Sequence, residues 1–523
     1  MSGHDMSSCL TLSLRPYGGA FVVCAFLVIS AFGRPAAAET LEEALADAYL
    51  INPVLNAERA RLRATDEEVA LAKSGLRPFI FGTADTAFLN TNTTTSGGAN
   101  NTAPSNIGLL TGPVKQAFPV NTGNAGENLT ATGAIPLNQA FGQGEADTDD
   151  GVTNPRGYAV QLNQPIFEGF RNLNAIREAK ATVQAGREAL RTVEQTVLLD
   201  AVTAYVNVVR DGAIVRLREN DVSVLSEQLK ATRDRFDVGE VTRTDVAQAE
   251  ARRSEALATL AAAQANLKTS RAAYEQVIGH PPGNLVTPAS IRHLLPSTLN
   301  DAMTLGDGEN PLILAAVYNE EASLYAVQRI MGEMLPDVQL EARYEKRFDL
   351  GSTVESQEQT QVIGRLNVPF YQGGGVSARV RQAKETNNQL KKEVEDARLR
   401  VHADVIANYG ILQSSGPAIS SAEAAVAANK IALTGVREEE KVGQRTTLDV
   451  LDAQRELLNS QIGLVTALRD RVVAEYSLYT AIGRMDAQTL GLPVPYYDPI
   501  EHYDIVKKKL FGLRPPPPPA PDE

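Results

Sequence analysis

The sequence predicts a mainly α-helical chain made of two tandem repeats, each with a helix, a strand pair, a long helix and a short helix. Three observations carry that reading. Matching motifs in the two halves keep a constant spacing, long proline-free runs show helical periodicity, and four short segments alternate apolar with polar residues. The 523 residues suffice for one elongated body or for more than one compact domain.

The spacing is read by comparing "NQPIFEGFRN" (163–172) with "NVPFYQGGGV" (367–376). Pro165 matches Pro369 and Gly169 matches Gly373, an offset of 204 residues. The same offset relates Gly212 to Gly416, Gly239 to Gly443, Asp245 to Asp449, and Ile278-Gly279 to Ile482-Gly483. A constant offset over so long a stretch marks a duplicated unit. Upstream, Asn52-Pro53 recurs at Asn310-Pro311 and Pro78 at Pro336, now 258 rather than 204 residues apart, so the first half carries a 54-residue insertion between Pro78 and Pro165. That interval contains "LNTNTTTSGGANNTAPSN", which cannot pack a core and reads as a long loop. The expected organisation is a first repeat over 39–279 with an inserted loop at 89–155, a second repeat over 280–483, and an irregular, proline-rich tail over 484–523.

Residues 1–38 read as a signal peptide. Arg15 precedes the apolar run "AFVVCAFLVISAF" (20–32), and "RPAAAET" offers a small-residue cut after Ala38. The run is too short to span a bilayer; a short buried helix is the other reading. Both cysteines, Cys9 and Cys24, fall in the removed piece, so no disulfide or thiol chemistry is expected, and Cys24 lacks a lipidation pattern. No later apolar run is long enough for a membrane helix, so any crossing must use a closed β-barrel. A net charge of −13 argues against a nucleic-acid partner. His4, His280, His293, His402 and His502 are scattered without metal-ligand spacing, and neither a nucleophile–base pair nor a phosphate loop is present. No enzyme activity, metal or cofactor is expected.

The helices follow from periodicity. From Gly169 to Phe236 there is no proline, and triplets such as Val193, Val197, Ala201 and Val222, Leu225, Leu229 recur at helical spacing. Such a run makes a helix of roughly 100 Å. A second, alanine-rich helix over 241–279 and a third over 40–77 are each about half as long, so that stacked end to end they would cover the long one, with coiled-coil-like packing. Gly212, and Gly416 with Pro417, fall near the middles of the long helices and are expected to loosen them there. The strands follow from alternation. Tyr158, Val160 and Leu162 oppose Ala159, Gln161 and Asn163. Val338, Leu340, Ala342 and Tyr344 oppose Gln339, Glu341, Arg343 and Glu345, and Val362, Gly364 and Leu366 oppose Ile363, Arg365 and Asn367. Phe79 and Phe81 open the fourth. Such faces suit an ordinary half-buried sheet or a membrane barrel with a wet lumen. The signal peptide and the absent membrane helices favour the barrel. Four strands cannot close one with a lumen, so a homo-oligomer is expected.

The turn "VGQRTTLDVLDAQ" (442–454) joins the long and short helices of the second repeat. Gly239 and Gly443 suit left-handed helix caps. Thr242 with Asp245, and Thr446 with Asp449, have the spacing of a capping box, and Asp452 shares a helix face with Asp449. Capping is the plain role of these carboxylates.

The strand-to-helix junctions "QPIFEGF" and "VPFYQGG" and the turns "RFDVGEVTRTDVAQAEA" and "VGQRTTLDVLDAQRELLNSQ" resemble, in order and spacing, those of the TolC family of outer-membrane channel proteins, over about residues 39–483. The resemblance implies a homotrimer seated in outer-membrane lipid, with a twelve-stranded barrel, four strands from each chain, continued by a coiled-coil tunnel into the periplasm. It implies partners too: a periplasmic adaptor and an inner-membrane transporter of ABC or RND type, with drugs or secreted proteins as cargo. The turns would form the closed periplasmic tip. Three copies of Asp449 and Asp452 would make acidic rings at the constriction, where carboxylates concentrate cations, and Arg445 would latch onto Asp245. Glu440 departs from the family, standing where a tyrosine is common, and is expected to repel Asp245 or compete for Arg445. A trimeric coiled-coil structural or adhesive surface protein without a pore is the alternative.

Overall fold

The computed structural model describes residues 39–91, 151–350 and 354–516. The expected signal peptide, most of the inserted loop and the last part of the proline run lie outside them. The first repeat contains α1 (Leu41–Ile51), α2 (Pro53–Ser74), β1 (Phe79–Thr86), β2 (Leu89–Thr91), β3 (Gly151–Thr153), β4 (Arg156–Glu168), α3 (Arg171–Asp237) and α4 (Arg243–Ile278). The second contains α5 (Leu299–Glu309), α6 (Pro311–Met331), β5 (Asp337–Phe348), β6 (Ser356–Asn367), α7 (Gly375–Lys441) and α8 (Thr447–Ala481), and α9 (Pro499–Val506) follows.

The long helices α3 and α7 each have 67 residues and begin 204 positions apart. Both run unbroken through Gly212 and through Gly416-Pro417, so the expected loosening does not interrupt them. Near the proline, Ser414 and Ser415 donate to the carbonyls of Ile411 and Leu412 at 2.9 and 2.7 Å.

The single helix expected over 40–77 is instead two, α1 and α2, divided at Asn52. A residue before proline is steered out of helical geometry. Asn52 therefore stops α1 and caps α2, its Oδ1 accepting from Val54 N–H at 2.9 Å with Pro53 at the first helical position. Asn310 does the same between α5 and α6, accepting from Leu312 N–H at 2.9 Å. Each asparagine also reaches back to the short helix of its own repeat. Asn52 Nδ2 donates to the Val277 carbonyl at 2.8 Å, and Asn310 Nδ2 to that of Ala481 at 2.9 Å. There, Gly279 (φ +101°) and Gly483 (φ +88°) let the chain leave the short helix where a Cβ would press on Ile51 or on the Glu309 carbonyl. The joint makes α2 and α4 abut and lie together along α3, as α6 and α8 lie along α7. Helices α6 and α8 of the second repeat also pack on α3.

The main core forms at mid-height, where α1, α5 and the segments 280–298 and 482–497 wrap the long helices. It contains Leu45, Tyr49, Leu198, Val202, Tyr205, Tyr274, Val401, Val405, Leu478, Ile482 and Met485. Tyr205 and Glu475 carry polar groups into this core, and both are hydrogen-bonded there. The Tyr205 hydroxyl lies 2.7 Å from the Val286 carbonyl and 2.8 Å from that of Glu39. The Glu475 carboxylate accepts from Ser290 Oγ at 2.8 Å, Ile291 N–H at 3.0 Å and Arg471 Nε at 3.1 Å.

The four main strands form one antiparallel sheet in the order β1-β4-β5-β6, with β2 and β3 pairing separately. The register joins the alternations of the separate strands into two faces. One row runs Ile80, Leu162, Ala342, Val362, and the adjoining row on the same face runs Gly82, Val160, Tyr344, Thr360. The opposite face carries Phe81, Gln161, Arg343, Gln361 and Thr83, Ala159, Glu345, Gln359. Arg343 pairs with Glu345 at 2.8 Å and Arg365 with Glu341 at 3.2 Å on that polar side.

Replacing Asn310 by Ala removes a helix cap and strands the Ala481 carbonyl; a loss of about 1–3 kcal/mol is expected in denaturant unfolding. Glu194 supplies a pH test. Burial pushes its carboxyl up to about 7, and Asp486 adds to the shift, against the Ala487 amide at 2.8 Å and the arginines Arg59 and Arg191. A raised carboxyl pKa means the folded state binds the proton more tightly, so stability falls as pH rises from the ordinary carboxylate range through about 7. Glu194→Gln should stabilise by about 1–3 kcal/mol at mildly alkaline pH and change little near pH ~5. Thermal unfolding at the two pH values reads the difference.

Candidate functional site

The helix-tip turns lie at the end of the molecule opposite the sheet, where α3 meets α4 and α7 meets α8. Both are built alike. Gly239 (φ +79°) and Gly443 (φ +75°) are left-handed. Glu240 N–H donates to the Arg235 carbonyl and Gln444 N–H to that of Glu439, each at 2.9 Å. Gly239 and Gly443 N–H donate to the carbonyls of Phe236 and Glu440, at 2.9 and 3.0 Å. These paired bonds make a Schellman cap. The next helix then opens with a full capping box. Asp245 Oδ2 accepts from Thr242 N–H and Oγ at 2.9 and 2.7 Å, and Asp449 Oδ2 from Thr446 N–H and Oγ at 2.8 Å each. The bonds from Thr446 hold the Asp449 carboxyl below the usual aspartate range.

Other expected pairings are rearranged. Within the chain Arg445 does not meet Asp245; its Nε donates to Glu439 at 2.9 Å, an exposed pair inside its own turn. Glu440 neither faces Asp245 nor competes for Arg445. Its side chain is nearly buried, and Oε1 accepts from Arg235 Nη1 at 2.9 Å and from Thr447 Oγ at 3.4 Å. Asp452 is engaged as well, its Oδ1 accepting from Arg252 Nη2 at 2.8 Å. Two ion pairs therefore tie the tip of the first repeat to that of the second: Arg235–Glu440 between the long helices and Arg252–Asp452 between the short ones.

Arg235 and Arg252 were not among the expected site residues, yet the sequence holds a signal for them. At the constant offset they correspond to Glu439 and Glu456, so charge reverses between the repeats at both positions. Elsewhere in the tips, Gly, Thr and Asp are kept.

The junction residues lie at the opposite end. Pro165 sits beside a β-bulge in β4, where a residue without N–H is tolerated. Gly169 (φ +61°) crosses Gly332 so closely that a Cβ on either would collide with the other's carbonyl oxygen. Pro369 follows β6, and Gly373 (φ +63°), the counterpart of Gly169, has open space around it.

Over residues 44–280 and 307–484 the chain matches the family model described as "Outer membrane efflux protein". It belongs to that family. This is a family of outer-membrane channel proteins, not of enzymes, and the chain is an outer-membrane protein. It is 39% identical to the outer membrane efflux protein BepC of Brucella suis over 485 residues, 92% of this chain and 94% of that one. It is 25% identical to the outer membrane protein TolC of Escherichia coli over 366 residues, 67% of this chain and 74% of that one. It is 24% identical to the alkaline protease secretion protein AprF of Pseudomonas aeruginosa over 340 residues, 64% of this chain and 70% of that one. In fold it resembles the CmeC outer membrane channel of Campylobacter jejuni, with a TM-score of 0.70 at 14% identity, covering 90% of this chain and 89% of that one.

The partly buried Arg235–Glu440 pair should show a coupling energy of about 1 kcal/mol in a double-mutant cycle read by thermal unfolding, whereas the exposed Arg445–Glu439 pair should give close to none.

Proposed function

We propose that three copies of this chain form an exit duct through the outer membrane, closed at the helix tips until an inner-membrane transporter and a periplasmic adaptor open it. The observation that carries this reading is the sheet. One face is apolar, the other is lined with Gln, Glu and Arg, and β1 and β6 are unpaired edges. A sheet with that division and open edges fits a barrel completed by other chains. Strands of 12–13 residues in β4, β5 and β6 are long enough to cross a bilayer at a tilt.

The helices support closure into a ring. Repeat 1 leans on repeat 2 through α3 and α6, and Gly169 nests against Gly332. Among the described residues the corresponding face of repeat 2 has no neighbour. Val202 is fully buried while its counterpart Ile406 is 50% exposed, and buried Gln195 corresponds to Leu399 at 68%. Gly373, which stands in open space, fits the same nesting against the end of α2 in the next chain. A head-to-tail contact of this sort repeats until it closes, and three chains supply six repeats and twelve main strands.

At the tip, three copies of Asp449 and Asp452 would line the constriction and attract cations. The capping bonds on Asp449 keep it ionised against the repulsion of its copies. Arg445, exposed on the turn, remains a latch candidate toward Asp245 of a neighbouring chain. The ties Arg235–Glu440 and Arg252–Asp452 would have to break for the tips to part. The cargo fits either of two kinds, since the relatives include efflux proteins and a protease secretion protein.

The test is conductance in a planar bilayer. Purified trimer should conduct poorly and prefer cations. Arg252→Ala should raise conductance severalfold while keeping the preference, whereas Asp449→Asn should weaken the preference. A folded trimer that never conducts would sink the reading in favour of a structural surface protein.

A further inference from the structure

The C-terminal segment returns from the mid-height core toward the sheet and is held there firmly. Helix α9 lies on α2. His502 Nδ1 and Asp66 Oδ2 meet at 2.8 Å, both side chains buried. Tyr503 packs against Val69, Val183 and Ala179, with the Arg187 guanidinium 5.2 Å from its ring centre. Beyond the helix, Lys73 Nζ donates to the Lys507 carbonyl at 3.0 Å and Arg77 Nη1 to the Lys509 carbonyl at 3.3 Å. Arg77 is two residues before β1, so residues 507–513, "KKKLFGL", are pinned where the helices give way to the sheet.

Two properties of this segment call for a partner. Leu510, Phe511 and Leu513 are 69%, 88% and 103% exposed, a cluster of large apolar side chains with nothing over it among the described residues. The ground around it is basic in an otherwise acidic protein. Lys73 is pushed down from the usual lysine range by burial and then by Lys180, Lys507 and Arg77, like charges crowded together. Asp504 offsets Lys507 at 2.5 Å, and the Lys509 ammonium is held by the uncharged Arg514 carbonyl. At the same end of the sheet Phe370 and Tyr371, just past β6, are 93% and 87% exposed, as aromatic side chains are at a membrane–water interface.

We propose that residues 507–513 are a membrane-surface anchor, laying Leu510, Phe511 and Leu513 into the periplasmic leaflet of the outer membrane with Lys508 and Lys509 against its anionic phospholipid headgroups. Apolar side chains dipping into the headgroup boundary beside lysines are the interfacial binding mode. Each lysine near an anionic surface strengthens such binding about fivefold. The anchor would fix the height of the barrel in the bilayer from outside the barrel itself. It rests on the reading of the sheet as part of a membrane barrel.

The protein contains no tryptophan, which makes a clean test. Phe511→Trp and, separately, Val362→Trp on the apolar face of β6 are introduced into the full chain. Each is reconstituted in vesicles of phosphatidylglycerol and brominated phosphatidylcholine, and Leu366→Trp replaces Val362→Trp if that variant fails to assemble. Both tryptophans should be quenched by the brominated lipid. Adding Lys508→Glu and Lys509→Glu to Phe511→Trp should remove most of the quenching at position 511. A quenched barrel tryptophan with an unquenched Trp at 511, whether in water or under a neighbouring chain, overturns the anchor and leaves the barrel standing. Quenching at 511 that ignores the lysine changes overturns the headgroup contact. If neither tryptophan is quenched, the barrel reading itself fails.

Discussion

Everything in this architecture depends on covering a 67-residue helix with two shorter ones and making their joint tight. A helix of that length has no stability of its own beyond what packing along its whole face provides. Two helices that meet head to tail leave orphan N–H and C=O groups facing each other at mid-height, where water is excluded. Asn52 and Asn310 solve this with one side chain apiece. The carbonyl oxygen caps the helix that begins, and the amide nitrogen satisfies a carbonyl near the end of the helix that stops. Proline at the next position removes a donor that would otherwise need a partner. Gly279 and Gly483 then let the chain turn away without a Cβ in the gap. The main core assembles around these joints, which is why its buried side chains come from α1, α3, α4, α7 and α8 together.

Duplication makes the same joint twice, and it also makes the repeats interchangeable in principle. What distinguishes them is found where they have diverged. At the Asn-Pro joints and at the caps the residues are retained and the contacts are copies of one another. At the tips, Arg235 and Arg252 stand where the second repeat has Glu439 and Glu456, and those arginines make the ion pairs between repeats. Charge reversal between copies turns two like surfaces into complementary ones, so the coils attract at the tip beside one small apolar contact, that of Leu225 and Ala256 with Leu451.

Much of this was legible in the sequence. The constant offset, the long proline-free runs and the alternation in 156–168, 337–348 and 356–367 all correspond to elements. The capping boxes at Thr242 and Thr446 were readable because their partners are three residues away. What was not readable depends on distance along the chain. Asn52-Pro53 served as a repeat marker, but its meaning as a break requires Val277, which lies 225 residues away. The sequence alone sets Glu440 against Asp245 and Arg445, which belong to the tip turns, whereas its partner Arg235 is 205 residues off. The division of the sheet into two faces was visible strand by strand. That the faces align across four strands depends on register, which the strand sequences constrain only jointly.

The mid-height core and the tips differ in kind, and that difference is what a gated duct needs. At the core, Tyr205, Tyr274, Leu198, Leu478 and Ile482 are fully buried, so parting the helices there would expose apolar surface at about 25 cal/mol per Å². At the tips the turns are solvated, their caps are local to each turn, and the repeats are joined by a few ion pairs of modest strength and one small apolar cluster of Leu225, Ala256 and Leu451. Local caps mean that a tip can swing without losing its own hydrogen bonds. A partner protein pressing on the tips therefore works against the ion pairs and that small cluster rather than against the main core. Opening can begin at the tips while the mid-height joint stays closed and serves as the pivot.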